Sequence, residues 1–377
     1  MASVSAAPRL IALDLAVSVR LCEEISRIWD AGDVVLPLDQ RMLPAARRRL
    51  ADVLGADEIV RVDATERLAV SPSATLEPLV VGDALVIATS GSTGAPKGVV
   101  HTHHTLHTHG EMVGRQLGLS TSDHWWLCLP AAHIGGFGVI ARALQFGSAL
   151  SCATSVDDDV IRAALTGGAT HTAIVPTLLV RHDFTDWKLV LVGGARAPVL
   201  PVNATGTYGL TETCGGVVYD GSPLAGVEVR VDAGHVFIRT PTRARTYRHA
   251  PLILNDGWLD TGDVGVLLDG RLHIEGRRDD LIITGGNKVW PHVVETRLRE
   301  HPLVADAVVR GVPDDEWGSI VCAWITPASA TLVPTLEVLR NHVRETLASY
   351  YAPRKVNIVA TIPRTPLGKV IVTDLPG

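Results

Sequence analysis

Apolar and polar residues alternate in short blocks through the first two thirds of the chain. The apolar runs at 84–88, 126–129, 172–175 and 189–192 have the length of buried strands, and glycine, proline or hydroxyl residues follow each of them. Residues 47–54 form an arginine-rich stretch with a helical pattern. Strands that alternate with helices predict a layered α/β domain.

The strand predicted at 84–88 begins the most distinctive part of the pattern. It leads into a loop of glycine, serine and threonine, and the loop leads into an apolar stretch that contains several histidines. This order predicts a strand–loop–helix unit. The residues before position 80 carry no recognisable chemistry, so we expect them to serve as scaffold.

Strand signals become shorter and closer together between residues 226 and 273. Strands are predicted at 227–231, 235–238 and 271–274, and turns that contain glycine or aspartate separate them. This spacing indicates a β-rich subdomain that belongs to the larger domain.

A different mixture of elements follows the larger domain. An amphipathic helix is predicted at 291–300, a strand at 304–312 and a second helix at 335–347. Together they make a compact α+β unit of about a hundred residues, a common size for a small domain. We predict a large N-terminal α/β domain over residues 1–278 and a small, mobile C-terminal α+β domain over residues 279–377.

The composition is that of an ordinary globular protein. The chain has 377 residues, of which 46% are apolar, and a formal net charge of −6. Its lysines and arginines are scattered, which argues against a nucleic-acid partner. No apolar run approaches the roughly 20 residues of a membrane span, and the five cysteines include no CxxC pair. We expect a cytoplasmic protein without a membrane span, and the sequence is compatible with an oligomer.

One loop of ten residues carries the strongest chemical signal. It reads Thr89-Ser90-Gly91-Ser92-Thr93-Gly94-Ala95-Pro96-Lys97-Gly98. Hydroxyl groups, unhindered backbone N–H groups and one cation together suit a polyphosphate such as that of ATP. A Walker loop would have glycine before its lysine and serine or threonine after it, whereas Lys97 follows proline and precedes glycine. The loop therefore indicates ATP but not a P-loop fold.

This loop resembles the phosphate loop of the adenylate-forming superfamily, which contains acyl-CoA synthetases, peptide-synthetase adenylation domains and luciferases. The resemblance extends in family order from about residue 84 to the end of the sequence. It implies that the loop binds ATP through Thr89, Ser90, Gly91, Ser92, Thr93, Gly94 and Lys97.

Two further segments resemble other parts of the family's nucleotide site. The first reads Gly193-Gly194-Ala195-Arg196 and resembles the adenine-side loop, which implicates Gly193, Gly194 and Ala195. The second reads Tyr208-Gly209-Leu210-Thr211-Glu212. By this resemblance Tyr208 stacks on adenine beside Gly209, Thr211 contacts phosphate, and Glu212 holds Mg²⁺, a hard cation that prefers carboxylate oxygens.

Two segments farther along resemble the ribose side and the hinge of the family. The run 258–263 resembles the segment whose last aspartate, here Asp263, hydrogen-bonds the ribose hydroxyls with its two acceptor oxygens. The run 276–282 resembles the boundary motif. There Arg277 would reach the ribose and phosphate, and Asp279 would be the hinge position.

The last motif, at 363–369, resembles the C-terminal loop that delivers the family's catalytic lysine, which would be Lys369. The resemblance implies that a carboxylate attacks ATP to form an acyl-AMP, with Lys369, Thr211 and Glu212 as catalytic residues. The small domain would then rotate about the hinge so that the CoA thiol can attack. ATP, Mg²⁺ and CoA as co-substrate are thereby implied, with a small carboxylic acid as the other partner.

The segment at 129–142 bears on which acid is used. It resembles the acyl-pocket segment of the o-succinylbenzoate-CoA ligases of menaquinone biosynthesis, including His133 and Arg142, and those ligases can be as compact as this chain. Arg142 stands in an apolar helical stretch, where an unpaired cation is costly and a second substrate carboxylate would offset the cost. Alternatively, Arg142 reaches solvent or pairs with an acid of the protein.

Other interpretations stay open at this stage. One alternative is a ligase for another aryl or short acyl acid, a second is a stand-alone adenylation domain that loads a carrier protein, and a third is a module that binds nucleotide without turnover. A metal cluster is a further interpretation of the histidines His101, His103, His104, His107 and His109. We discount it because no carboxylate or cysteine stands at a companion spacing.

Overall fold

The computed structural model of the chain describes residues 7–68, 76–90, 96–194, 199–364 and 370–376. The chain folds as two compact units. The first consists of Met1–Arg230, Phe237–Thr261 and Leu267–His273, and the second of Val231–Val236, Gly262–Val266 and Ile274–Gly377. The long segment of the second unit begins at Ile274, and the boundary near residue 278 stays a prediction.

The described residues form strands and helices that we number in chain order. The strands are β1 (Leu10–Leu13), β2 (Val34–Pro37), β3 (Glu58–Val60), β4 (Thr65–Arg67), β5 (Asp83–Ser90), β6 (Pro96–Thr102), β7 (His124–Leu127), β8 (Ala149–Cys152), β9 (His171–Ile174), β10 (Leu189–Gly193), β11 (Ala204–Leu210), β12 (Gly215–Tyr219), β13 (Ser222–Pro223), β14 (Glu228–Asp232), β15 (His235–Arg239), β16 (Thr246–Tyr247), β17 (Leu259–Leu268), β18 (Arg271–Arg277), β19 (Ile282–Thr284), β20 (Asn287–Val289), β21 (Val304–Asp314), β22 (Gly318–Pro327) and β23 (Lys355–Ile358). The helices are α1 (Val19–Asp30), α2 (Pro44–Leu54), α3 (His103–Leu117), α4 (Ile134–Phe146), α5 (Asp158–Thr166), α6 (Pro176–Arg181), α7 (Pro291–Arg299) and α8 (Leu336–Arg344).

Two seven-stranded sheets organise the first unit. The strand order is β16-β6-β5-β2-β1-β3-β4 in one sheet and β13-β12-β11-β10-β9-β7-β8 in the other. Their central strands run parallel, and β1 and β2 are buried along their whole length, as expected for strands covered on both faces. Helix α3 packs on β5 and β6, helix α4 packs on β7 and β9, and the two helices pack on each other. A pair of helices therefore lies between the sheets.

The strand–loop–helix unit predicted after residue 84 is wrong in one respect. The segment Pro96–Thr102 is a strand, β6, which pairs antiparallel with β5, and helix α3 begins only after it. The reason is the run Gly98-Val99-Val100, whose β-branched residues fill a buried strand position beside β5. The glycine-rich loop thus joins two strands, and no helix N-terminus directly follows it.

Helix α3 begins and ends at local signals that the sequence contains. The Thr102 side chain accepts from the Thr105 backbone N–H while the Thr105 hydroxyl accepts from the Thr102 backbone N–H, which is a capping box. Gly118 ends the helix with a φ of 65°. These caps fix the two ends of α3, which begins directly after the last residue of β6.

The second unit has a core of its own. Strands β21, β22 and β23 form a sheet, and helices α7 and α8 pack together beside it. Their apolar faces meet around Val294, Leu298, Val309 and Leu339, all of which are buried. The predicted helix and strand positions in this region are confirmed, as are the strands predicted between residues 226 and 273.

The predicted fold class is confirmed as a whole: a large layered α/β region is combined with a smaller C-terminal α+β unit. The apolar runs in the first unit correspond to β5, β7, β9 and β10 within a residue or two of the predicted positions. Within the part of the chain that the structure describes, no helix is long and apolar enough to cross a membrane.

Candidate active site

Glu212 lies in a short 3-10 turn, Thr211–Thr213, that follows strand β11. Every backbone carbonyl of this turn accepts a hydrogen bond from another element of the first unit. The donors are His101 Nε2 to Thr211 O at 2.7 Å, the Ala244 N–H to Glu212 O at 2.7 Å, and Thr242 Oγ1 to Thr213 O at 2.8 Å. These three hydrogen bonds fix the conformation of the turn.

The Glu212 side chain is tied to the predicted phosphate loop through one tyrosine. The Tyr247 hydroxyl donates to Glu212 Oε1 over 2.9 Å, and Lys97 Nζ lies 5.2 Å from the centroid of the Tyr247 ring. Among the described residues, no donor approaches the second oxygen of Glu212 and no carboxylate pairs with Lys97. The structure thus brings Lys97 and Glu212, far apart in sequence, into one cluster.

The ladder between β5 and β6 places the ends of the loop. Thr89 is opposite Lys97 and Ser90 is opposite Pro96. Directly opposite residues share one face of a sheet, so Thr89 and Lys97 lie on the same face at the mouth of the loop. The rest of the predicted phosphate loop, Gly91, Ser92, Thr93 and Gly94, lies outside the described residues.

The predicted adenine-side residues meet where β10 and β11 run parallel. Gly193 is opposite Thr207, and a Cβ on Gly193 would come within 2.7 Å of Thr207 Oγ1. A Cβ on Gly209 would lie 1.9 Å from Gly215 O, so glycine is required where β11 and β12 approach each other. Tyr208 directly precedes Gly209 on β11. Gly194, at a φ of 95°, ends the described part of its loop, and Ala195 lies outside it.

These groups fit ATP and Mg²⁺. Glu212 offers a carboxylate oxygen without a donor among the described residues, and oxygen is the ligand that Mg²⁺ prefers. Lys97 offers an ammonium group that no carboxylate of the described chain neutralises. A cation and a carboxylate that contact the same tyrosine suit a magnesium-bound polyphosphate.

The second unit contains the residues predicted for the ribose and the hinge. Arg277 Nη1 donates to Asp263 Oδ1 over 3.0 Å, and Asp263 is only 5% exposed. The structure therefore brings these two predicted nucleotide residues together. Asp279 lies in an exposed 3-10 turn, Arg278–Asp280, that follows β18. Lys369 lies outside the described residues.

Arg142 is buried in helix α4 with only 5% of its surface exposed. Its guanidinium carbon lies 4.9 Å from the centroid of the Trp125 ring, and Nε has no hydrogen-bond partner. No acid within the described ranges forms an ion pair with it, and burial lowers the pKa of Arg142. The side chain is buried and pairs with no described acid, so its charge lacks an acidic partner in the part of the protein that the structure describes.

His133 is the N-cap residue of α4 and lies in a different environment. Its Nε2 is 3.2 Å from Asp39 Oδ2 and 3.0 Å from Arg41 Nη2. Burial opposes the charge of Asp39, but hydrogen bonds from Arg41 and His133 outweigh it and lower the pKa of Asp39. Nine positions along a helix correspond to about 14 Å, so the structure does not bring His133 and Arg142 into contact.

Asp39 and Arg41, in the part of the chain expected to be scaffold, contact the predicted substrate residue His133. They follow β2 at the carboxyl edge of a parallel sheet, where ligand sites commonly form. No sequence signal marks them, because a short Asp-Gln-Arg loop has no chemistry until the sheet places it beside His133. The sequence does not mark Tyr247 either, because only the pairing of β16 with β6 brings it to Glu212.

The histidine-rich segment after the loop contains both buried and exposed histidines. His101 and His109 are buried and bond backbone carbonyls, His101 that of Thr211 and His109 that of Gly216 at 2.9 Å. His104 and His107 are exposed. Over the described ranges, no group of three His, Cys, Asp or Glu residues is arranged to hold a metal ion.

Comparison with known proteins defines the class. Residues 49–242, just over half of the chain, match the family described as AMP-binding enzyme, and residues 293–369 match the AMP-binding enzyme C-terminal domain. The chain belongs to the AMP-binding enzyme family, and the predicted relation to adenylate-forming ligases is confirmed.

The chain is also similar to two individual ligases over most of its length. The chain is 36% identical over 316 residues to the probable 2-succinylbenzoate–CoA ligase of Mycobacterium tuberculosis, covering 76% of this chain and 82% of the relative. It is 30% identical over 357 residues to the 2-succinylbenzoate–CoA ligase of Bacillus licheniformis, covering 83% of this chain and 74% of the relative.

A solved structure shares the fold. The o-succinylbenzoate CoA synthetase of Bacillus subtilis, solved with the acyl-adenylate intermediate OSB-AMP, superposes with a TM-score of 0.83 at 23% identity. The superposition covers 97% of this chain and 87% of that chain. The same synthetase with ATP and a magnesium ion gives a TM-score of 0.82 at 23% identity, over 98% of this chain and 89% of that one.

Proposed function

We propose that this protein joins o-succinylbenzoate to CoA with the use of ATP, through an acyl-AMP intermediate. The observation that carries the choice of acid is Arg142, a buried cation without a described acidic partner in a helix of otherwise apolar character. A dicarboxylic acid supplies one carboxylate for activation and a second to neutralise that charge. The names of the relatives from M. tuberculosis and B. licheniformis support the same acid.

The first half-reaction forms the acyl-AMP. A carboxylate oxygen of the acid attacks the α-phosphorus of ATP, the bond from phosphorus to the β-phosphate oxygen breaks, and pyrophosphate leaves. Lys97 and the preorganised turn that carries Thr211 and Glu212 hold the phosphates, because fixed charges stabilise the transition state without reorganising. Mg²⁺, when bound, supplies positive charge against the phosphate oxygens. Lys369 neutralises the attacking carboxylate and the α-phosphate.

The second half-reaction forms the thioester. The CoA sulfur attacks the acyl carbon of the mixed anhydride, and AMP leaves with the electron pair of the broken carbon–oxygen bond. We assign Asp279 as the hinge for this step and the Gly285-Gly286 turn as the face that replaces Lys369. Both glycines of that turn have positive φ, at 54° and 79°. A turn of this kind lets a substrate approach the backbone closely.

Arg142 makes the proposal testable through substrate choice. A buried charge-assisted pair with the second carboxylate is worth about 3 kcal/mol, which corresponds to about 100-fold in kcat/KM. Arg142→Met keeps much of the volume of the side chain and removes the charge. We expect its kcat/KM for o-succinylbenzoate to fall about 100-fold, while its kcat/KM for benzoate, which has no second carboxylate, changes little.

The measurement is CoA-dependent thioester formation together with pyrophosphate release, for both acids and both proteins. Thermal unfolding without substrate is a second readout, because loss of an uncompensated buried charge should leave stability unchanged or raised. Equal losses on both acids, or a native preference for benzoate, would reject o-succinylbenzoate. Pyrophosphate release without use of free CoA would instead indicate loading of a carrier protein.

A further inference from the structure

Tyr247 connects the two charged groups of the nucleotide site. Its hydroxyl bonds Glu212 Oε1 at 2.9 Å, and its ring faces the Lys97 ammonium group at 5.2 Å. A carboxylate oxygen can only accept, so the Tyr247 hydroxyl is the donor in this bond. One side chain therefore contacts both the metal-binding carboxylate and the phosphate-binding cation assigned above.

The position of Tyr247 is set by a strand and does not depend on a flexible loop. Strand β16 pairs antiparallel with β6, with Tyr247 opposite Val99. Lys97 stands two residues before Val99, on the same face, so Tyr247 and Lys97 are diagonal neighbours across the ladder. Further hydrogen bonds fix this register, from the Arg248 N–H to Gly98 O at 2.8 Å and from the Arg245 N–H to Val100 O at 2.9 Å.

Glu212 and Lys97 carry opposite charges, and both contact Tyr247. Near a protein surface, a carboxylate and an ammonium group 4 Å apart attract by about 4 kcal/mol. A direct Lys97–Glu212 ion pair would occupy both groups, and the incoming nucleotide would have to break it. In the structure the ring of Tyr247 holds the ammonium by a cation–π contact, and its hydroxyl holds the carboxylate.

We propose that Tyr247 is a positioning residue that keeps Lys97 and Glu212 separate and correctly oriented before the nucleotide binds. The proposal rests on the proposed function for the roles of these two residues, Glu212 toward the metal ion and Lys97 toward phosphate. The hydroxyl serves the metal-binding side, and the aromatic ring serves the phosphate-binding side. Two substitutions separate the two contributions, because Tyr247→Phe removes only the hydroxyl and Tyr247→Leu removes the ring as well.

Two binding measurements without acid or CoA test the proposal. Calorimetric titration of ATP in EDTA reports the phosphate-binding side alone. Titration of Mn²⁺ at saturating ATP, followed by electron paramagnetic resonance, reports the metal-binding side. Glu212→Gln gives the loss of Mn²⁺ affinity expected when the carboxylate is removed, and Lys97→Met gives the loss of ATP affinity expected when the ammonium group is removed. Tyr350→Phe, which removes a partly exposed hydroxyl of the second unit, is the matched control.

For Tyr247→Phe we expect Mn²⁺ binding about tenfold weaker and metal-free ATP binding within about twofold of the native value. For Tyr247→Leu we expect both affinities to fall, each by about tenfold. Native Mn²⁺ affinity in the phenylalanine variant overturns the proposal, and so does native metal-free ATP affinity in the leucine variant. If the leucine variant does not fold, the phenylalanine variant decides alone, since it changes a single hydroxyl.

The reference variants separate this proposal from the proposed function. If Glu212→Gln leaves Mn²⁺ binding unchanged, or Lys97→Met leaves ATP binding unchanged, the roles assigned to those residues are wrong and the proposal falls with them. Neither binding measurement depends on the acid. A wrong choice of o-succinylbenzoate would therefore leave the result for Tyr247 intact.

Discussion

The buried polar side chains of the first unit differ in whether the protein supplies them with a hydrogen-bond partner. Arg142 lies against the Trp125 ring, with its Nε unbonded. A buried cation in such a setting costs stability, and a bound carboxylate would offset that cost. His101 and His109 are buried as well, but each donates to a backbone carbonyl and needs no ligand.

The two buried histidines predict how stability depends on pH. Burial lowers the pKa of His101 and of His109 to about 4, from an ordinary value of 6.5. Well above pH 6.5 both are neutral in the folded and the unfolded chain, so their full contribution is present. As the pH falls toward 4 the unfolded chain takes up protons first, and each histidine should reduce the free energy of unfolding by about 2 kcal/mol at pH 5 relative to pH 7.

Urea unfolding at pH 7 and pH 5, followed by tryptophan fluorescence, measures this effect. His101→Gln and His109→Gln cannot titrate, so each should reduce the drop in stability between the two pH values. His104→Gln changes an exposed histidine of helix α3 and serves as the control. A native-like drop in both buried variants would contradict the assignment, as would an equal change in the control.

At the residue scale, the sequence could predict residues that belong to a contiguous motif. Glu212 and Lys97 belong to contiguous sequence motifs whose residue types indicate their chemistry. The positions of Tyr247 and Asp39 beside predicted site residues could not be predicted, because they arise from strand pairing and from the packing of a loop against helix α4. Arg142 is an intermediate case. Its apolar neighbours in the sequence indicate that its charge would be costly to bury. Only the structure shows that the side chain is buried without a described acidic partner.

Helix α4 shows how an element places its side chains. Its first turn packs against the preceding chain, where a Cβ on Gly136 would lie 2.3 Å from Pro130 O. A Cβ on the neighbouring Gly135 would meet nothing closer than 3.6 Å, a carbon of Leu129. The helix therefore tolerates a methyl group at one position and not at the next, although both are glycines in a helical conformation.

These adjacent glycines give a matched pair of substitutions. Gly136→Ala should destabilise the first unit by about 1–3 kcal/mol because backbone must move, and moving α4 should also raise the KM for the acid. Gly135→Ala should stay within about 1 kcal/mol of the native protein, since alanine favours a helix. Urea midpoints and the acid KM of both variants test this. Equal effects at the two positions would show that the close approach to Pro130 does not constrain the helix.

At the scale of elements, apolar runs predicted most strands, and the error at β6 has a physical cause. The run Gly98-Val99-Val100 is too short to have a helical or an alternating period of its own. Its state is decided by pairing with β5, which is a tertiary effect. The consequence matters for the site, because Lys97 is carried by a ladder and so stands in fixed register with Thr89 and beside Tyr247.

For the whole molecule, the predicted nucleotide residues are divided between the two units. Lys97, Thr211 and Glu212 belong to the first unit, and Asp263, Arg277 and Asp279 to the second. The second unit has its own buried core, around residues such as Val294 and Leu339. Because each unit is held together by its own core, the movement that we propose need not disturb either one.

Lys369 tests whether the two half-reactions use different parts of the second unit. Lys369→Ala should lower pyrophosphate release about 100- to 1000-fold, because a charge that stabilises the transition state is lost. It should leave thioester formation from supplied acyl-AMP close to the native rate, since the thiol attack does not use that charge. Lys355→Ala removes an exposed lysine of the same unit and should change neither rate. Equal loss of both half-reactions would mean that Lys369 acts in both steps or supports the unit as a whole, and a single arrangement of the two units would then suffice.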